Sequence, residues 1–162
     1  MKKCHTEIMK EIKRLEEEKE SWVIHERNNC RVSYMVGEDP IMPNYDYDET
    51  SGALLEYDNK IRKLKGLLAY ANATTLVEGF DMTINEALIY LAQLNVRVKR
   101  YDYLISFQKM TRKTVGIDGK IEYTKILYDQ EDAGRKLEEA KSEVIQLQMA
   151  IDRTNLTSFI DC

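Results

Sequence analysis

The sequence predicts a mainly α protein, an elongated antiparallel bundle of about four long helices that carries one small β-hairpin. Three observations lead there. Apolar residues recur three and four apart over long stretches. Glycine and proline are scarce, 7 and 2 in 162 residues, too few for the many turns of an all-β fold. A chain that is 43% hydrophobic and 32% charged has enough apolar surface to build a core, which excludes a disordered protein. The length suits one domain, and residues 1–162 are read as a single helical domain.

The first helix is expected over residues 6–29. Lys and Glu alternate from Lys10 to Glu20, and Ile8, Ile12, Leu15 and Trp22 form a thin apolar stripe interrupted by Lys19 and Glu26. Residues 30–52 break the pattern. Gly37, Pro40, Pro43 and Gly52 punctuate them, and Glu38, Asp39, Asp46, Asp48 and Glu49 make them acidic. They read as a connector with a short strand at Arg31–Val36.

The second helix is expected over residues 53–71, where Leu54, Tyr57, Ile61, Leu64, Leu68 and Ala71 make a continuous seam. A loop over 73–82 leads to Thr83-Ile84-Asn85-Glu86, a capping box in which the Thr hydroxyl and the Glu carboxylate satisfy two orphan N–H groups. The third helix follows to about residue 110, with Ile84, Ala87, Leu91, Leu94, Val98, Tyr101 and Ile105 on its seam. Residues 112–126 change period. Asp118-Gly119 lies between β-forming residues, which predicts a β-hairpin closed by a type I′ turn. Asp129 then caps a fourth helix over 129–154, with Ala133, Leu137, Ala140, Val144, Leu147 and Ile151 on its seam.

Two helix ends repeat at an offset of 83 residues. Leu64–Val77 reads LKGLLAYANATTLV and Leu147–Ile160 reads LQMAIDRTNLTSFI. Asn72, Thr74 and Thr75 thereby match Asn155, Thr157 and Ser158. The shared residues form a structural helix stop: Asn tolerates the left-handed conformation that ends helices, Thr and Ser bond back to freed carbonyls, and the following apolar pair tucks against the bundle.

The net charge of −4 argues against a protein built globally for nucleic acid or anionic membranes. Residues 97–125 are the exception, with eight basic side chains against three acidic ones. Arg97, Lys99, Arg100, Lys109, Arg112, Lys113 and Lys120, interleaved with tyrosines, could hold phosphates while the rings stack on bases. The segment nevertheless matches no nucleic-acid-binding module signature.

No other chemistry is assembled. The two histidines, His5 and His25, both lie on the first helix, and no GxSxG elbow is present, so no catalytic set is expected. No HExxH or paired CxxC occurs, so no metal and no cofactor is expected. An EF-hand starting at Asp46 fails because its sixth position is Ser51 and its twelfth is Tyr57. Cys4, Cys30 and Cys162 are odd in number and irregularly spaced, which suits a reduced, cytoplasmic setting. The start of the chain is charged and lacks the apolar core of a signal peptide. No run of about 18 apolar residues is present to span a membrane, and Cys162 does not stand in a prenylation box.

The run from Asn72 to Leu88, NATTLVEGFDMTINEAL, together with Asn29-Cys-Arg-Val, Gly37-Glu-Asp-Pro and Asp152-Arg-Thr-Asn-Leu-Thr, resembles a family of small helical bacterial proteins, some of which are called septicolysins. The resemblance spans most of the chain and implies a helical bundle without an established activity. The name implies pore formation, yet the Val115–Tyr123 hairpin is short beside the about 9–11 residues that each transmembrane strand needs. The resulting expectation is a non-enzymatic cytoplasmic interaction protein that covers its apolar seams by homo-oligomerisation, most simply as a twofold dimer. The alternative is nucleic-acid or phosphate-ligand binding through residues 97–125.

Overall fold

The computed structural model describes residues 2–161. The element order is β1 (Lys2–Cys4), α1 (His5–Asn29), α2 (Tyr47–Thr74), α3 (Ile84–Ile105), β2 (Met110–Val115), β3 (Lys120–Lys125), α4 (Gln130–Thr157) and β4 (Phe159–Asp161). The fold is mainly α, with four long helices and a β2–β3 hairpin, as the seams indicate. Cys162 lies outside the described residues.

The contacts divide the chain into two units. The first holds the residues up to Thr75 and those from Asn155 on; the second holds Leu76–Thr154. In the first unit α1 and α2 run antiparallel, tied by Lys65–Glu16 at 2.6 Å and Lys19–Asp58 at 2.6 Å. Between them Ile8, Ile12, Leu15, Ile61 and Ala71 form a core with Ile160 of β4. The two short terminal strands pair antiparallel in the same unit, Lys2 opposite Asp161 and Cys4 opposite Phe159.

In the second unit α3 and α4 pack around Val77, Ile84, Ala87, Leu94, Leu147 and Ile151. The Tyr90 hydroxyl donates to the Glu143 carboxylate at 2.5 Å, and that anion holds the phenol above its ordinary pKa. At the end of this pair the buried Thr154 hydroxyl donates to the Ala150 carbonyl and accepts from the backbone N–H of Glu78 at 3.0 Å. Its polar group is thus satisfied without water.

Several sequence expectations are corrected. Residues 31–36 form no strand, and residues 36–37 make a turn. Asp46 caps α2 six residues earlier than the seam alone suggests. Its carboxylate accepts from the Glu49 N–H at 2.8 Å, so the acidic Tyr47–Gly52 stretch is helix, where first-turn acids complement the helix dipole. α3 ends at Ile105, because the Ser106 N–H and hydroxyl both turn back to the Tyr103 carbonyl. The hairpin starts at Met110 and closes without a type I′ turn. Gly116 and Gly119 take the positive φ values (75° and 63°), whereas Asp118 does not, and the loop is four residues long.

Each repeated helix end stops at the matching position, α2 at Thr74 and α4 at Thr157. Asn72 and Asn155 lie inside the helices. No non-glycine residue among those described has a positive φ, so the stop works without a left-handed Asn. The Thr74 hydroxyl instead donates to the Tyr70 carbonyl at 3.0 Å. Of the two apolar residues that follow, one tucks in (Val77, Ile160) and one stays exposed (Leu76, Phe159).

The repeat extends far beyond those ends. At the same offset of 83, the cap Asp46 matches the cap Asp129, and the buried Thr50 matches the buried Ala133. Tyr45, whose hydroxyl donates to Glu26, matches Tyr128, whose hydroxyl donates to the Leu104 carbonyl. The other helix of each unit repeats at an offset of 79. Cys4 and Thr83 are both N-caps followed by a glutamate (Glu7, Glu86) that reaches back to the cap N–H at 2.7 Å. Cys4 pairs with Phe159 and Thr83 with Leu76, themselves 83 apart. Ile8 matches Ala87 and Leu15 matches Leu94, all buried. Each unit is therefore one module that holds a cap, two helices and the connector between them, and its cap pairs with the short extended segment that follows the other unit's second helix in the chain.

Candidate functional site

Two features stand out beyond the packing. The first is a groove of about 490 Å3 in the first unit, between α1 and the first turns of α2. Its walls include two aromatic rings, Trp22 and Tyr57, and three carboxylates, Glu18, Asp46 and Glu49. Trp22 stands on the apolar stripe of α1, and Tyr57 packs against the first core. Glu49 has a position at the helix start because Asp46 caps there. No lysine or arginine lines the groove. Glu18 is partly neutralised by Arg14 at 2.5 Å, and one Asp46 oxygen is engaged with the Glu49 N–H. His25 is held at the rim by the Asn44 carbonyl, 3.0 Å from Nε2, and by the Asn29 side chain, 3.3 Å from Nδ1. Tyr45 fastens the connector to α1 through Glu26, which pushes its phenol up to about 12.

The second feature is the face of α3 turned away from its core. Ile89, Val96 and Tyr103 lie seven residues apart and are 55%, 66% and 64% exposed. Ala92 is exposed between them. A seven-residue spacing keeps side chains on one stripe, which on α3 is opposite the Ile84–Ala87–Leu94 core stripe. Phe107 stacks edge-on against Tyr103, with ring centroids 4.8 Å apart, and extends the apolar surface.

The seven basic residues singled out in the sequence are spread over two kinds of surface. Arg97 and Arg100 lie over tyrosine rings of their own helix, Tyr90 at 5.7 Å and Tyr101 at 5.5 Å. Lys99 is exposed on the same helix. Lys109 pairs with Glu131 at 3.4 Å. On the hairpin Arg112 faces Tyr123, Lys113 faces Glu122 and Lys120 faces Val115, with both strands exposed throughout. The six helix-stop residues, Asn72, Thr74, Thr75, Asn155, Thr157 and Ser158, stand at the ends of α2 and α4. There the Asn155 carbonyl accepts from the Thr6 hydroxyl, and the Ser158 carbonyl faces His5 Nδ1. No group of three or more His, Cys, Asp or Glu among the described residues is arranged to hold a metal.

The groove is not a feature the periodicity exposes. Trp22 and Tyr57 read as seam residues, and the acids as connector. The signal that leads to it is the Tyr-Asp pair at 45–46 and again at 128–129, which marks where each module turns into its second helix.

No protein-family model matches the chain, and no curated protein matches it. Among solved structures it is similar to a functionally unknown conserved protein from Corynebacterium diphtheriae, with a TM-score of 0.67 and 16% identity over 99% of this chain and 100% of that one. At that identity the likeness concerns the fold alone. No helix among the described residues is long and apolar enough to cross a membrane.

Proposed function

We propose that the protein is a non-enzymatic interaction protein that works as a homodimer, two copies pairing antiparallel through the outer face of α3. The observation that carries this is the exposed heptad stripe of Ile89, Val96 and Tyr103, an apolar surface on the wrong side of a helix whose other side already has a core. A second copy fits it by charge. In heptad terms Glu86 and Arg100 occupy the same flanking position two heptads apart, with Gln93 midway. Antiparallel pairing about that midpoint sets Glu86 of each copy beside Arg100 of the other and meshes Val96 with Ala92. Parallel pairing would set Arg100 beside Asn95 and give Glu86 no basic partner on α3.

The two cysteines among the described residues, Cys4 and Cys30, are both free, which supports work in the reducing cytoplasm as part of the same proposal. Kinship with the small helical bacterial family belongs to it too and brings no activity with it.

Sedimentation velocity over a concentration series tests the reading. The wild type is expected at twice 19.0 kDa at about 50 µM. Val96→Glu places a carboxylate in the middle of the stripe and should weaken the dimer at least about tenfold without unfolding the chain. A wild type that stays at 19.0 kDa throughout overturns the proposal.

A further inference from the structure

We infer that the groove between α1 and α2 is a binding site for a small organic cation, a guanidinium or primary ammonium group on a short apolar stem. The inference is independent of the dimer and rests on a comparison that the molecule makes with itself. The two modules put an aromatic ring and a carboxylate at matching positions, and the second covers both with its own cations; in the first Lys60 lies over Tyr57 at 5.9 Å and Arg14 binds Glu18, but among the described residues no cation covers Trp22 or Glu49.

In the second module Tyr101 stands where Trp22 stands in the first, at the offset of 79, and Asp132 stands where Glu49 stands, at the offset of 83. There the guanidinium of Arg100 lies over the Tyr101 ring at 5.5 Å. Asp132 binds both Arg135 and Lys136, the latter at 2.7 Å, and these cations hold its carboxyl below the usual range. Aromatic face and carboxylate are thus both satisfied by the chain's own basic residues.

In the first module those three cations are missing. Ser21 stands at the position of Arg100, Gly52 at that of Arg135 and Ala53 at that of Lys136, each replacement small. The ring and the acid remain, and the groove of about 490 Å3 opens beside them. Glu18 adds a second acid where the other module has Arg97. A cation entering there would meet what Arg100, Arg135 and Lys136 meet in the other module, an open π face (Trp22) and a carboxylate (Glu49) that has no ion-pair partner among the described residues. Both contacts favour the charged ligand over a neutral one of the same shape. Thr50, whose hydroxyl is committed to the Asp46 carbonyl at 2.7 Å, closes the floor.

Trp22 is the chain's single tryptophan, so its fluorescence reports the groove directly. The test is titration of the full-length protein with n-butylguanidinium and n-butylammonium, and with n-butylurea as the neutral isostere, followed by Trp22 fluorescence and by calorimetry. Both cations should give a saturable response with a dissociation constant of about 1 mM or tighter, and butylurea none. Glu49→Gln should weaken cation binding about tenfold with an unchanged circular dichroism spectrum. Ala53→Lys, which gives the first module the lysine of the second, should abolish binding by occupying the site. A flat response in both readouts up to about 10 mM overturns the inference, as does binding of butylurea with equal strength. Cation binding that Glu49→Gln and Ala53→Lys leave unchanged overturns it too, because the cation would then be held elsewhere. A protein that dimerises but fails this test keeps the α3 interface and loses the groove, and the reverse outcome separates them equally well.

Discussion

Leu94→Ala and Val96→Ala, two residues apart on α3, should differ severalfold in cost because they point to opposite sides of the helix. Leu94 is 0% exposed and packs in the second core with Val77, Ile84, Leu147 and Ile151. Truncation to alanine removes three carbons from this environment. At roughly 0.8 kcal/mol each the transfer loss is about 2.4 kcal/mol, and the unfilled cavity raises the total to about 3–4 kcal/mol. For a chain of this length each kcal/mol lowers Tm by about 2–4 °C, so the variant should melt roughly 10 °C below the wild type. Val96 touches solvent with two thirds of its surface, and its truncation should cost about 0.5 kcal/mol or less in dilute protein, where the dimer is dissociated. The assay is thermal and urea unfolding followed by far-ultraviolet circular dichroism. A Leu94→Ala cost below about 1 kcal/mol, or a Val96→Ala cost equal to it, would refute the assignment of the two faces of α3 on which the dimer depends.

Three further outcomes are expected. Glu7 and Glu86 are held below their ordinary value of 4.5, chiefly by the cap N–H groups of Cys4 and Thr83. Their stabilisation is therefore complete above pH 4.5 and fades as the pH falls through the lower folded values. The double variant Glu7→Gln, Glu86→Gln should unfold less steeply with acid, and a pH–stability curve parallel to the wild type would contradict this. Tyr45 should be the last phenol to ionise in an alkaline ultraviolet titration, near 12, and Tyr45→Phe should remove that step; if the high step survives, the Glu26 bond is not its cause. His5 is fully buried, and its Nε2 has no hydrogen-bond partner among the described residues, while its other nitrogen lies 3.4 Å from the Ser158 carbonyl. His5→Leu removes the orphan and should leave stability unchanged or raise it by up to about 1 kcal/mol, whereas a loss of more than about 2 kcal/mol would show that Nε2 is satisfied in solution.

The helices were legible because their seams are long and their caps chemical. Thr83 with Glu86, and Asp129 before α4, mark helix starts by residue types that do one job well. The early start of α2 was hidden because Asp46–Gly52 is polar and contains a glycine, so only the cap and not the seam announces the helix. β1 and β4 left no signal at all. Each is three residues long, and each pairs only with a segment at the other end of the chain, a contact no local pattern encodes. The hairpin was visible in Asp118-Gly119, but the turn type was not, because a second glycine at 116 shares the positive φ values and lengthens the loop.

The site was less legible than the fold for the same kind of reason. The 64–77 and 147–160 ends match residue for residue, whereas α1 and α3 keep only the cap, the glutamate and the buried positions, with Ile8 against Ala87 and His5 against Ile84. Duplication of the whole module becomes visible only when Cys4 and Thr83 are seen to do the same work. The groove then follows from what the two copies do not share: Ser21, Gly52 and Ala53 where the second carries Arg100, Arg135 and Lys136.

Disulfide trapping tests the α3 interface most directly. Antiparallel pairing places Val96 of one copy against Ala92 of the other, so a variant carrying Ala92→Cys and Val96→Cys, with Cys30→Ser and Cys162→Ser and only the buried Cys4 left in place, should oxidise to a covalent dimer. The same background carrying Ala92→Cys alone should oxidise far less, because antiparallel pairing sets each thiol introduced at 92 opposite Val96, whereas parallel pairing would set the two thiols together. If the Ala92→Cys, Val96→Cys variant stays monomeric under oxidation at concentrations where the wild type sediments as a dimer, the two copies do not meet antiparallel through α3.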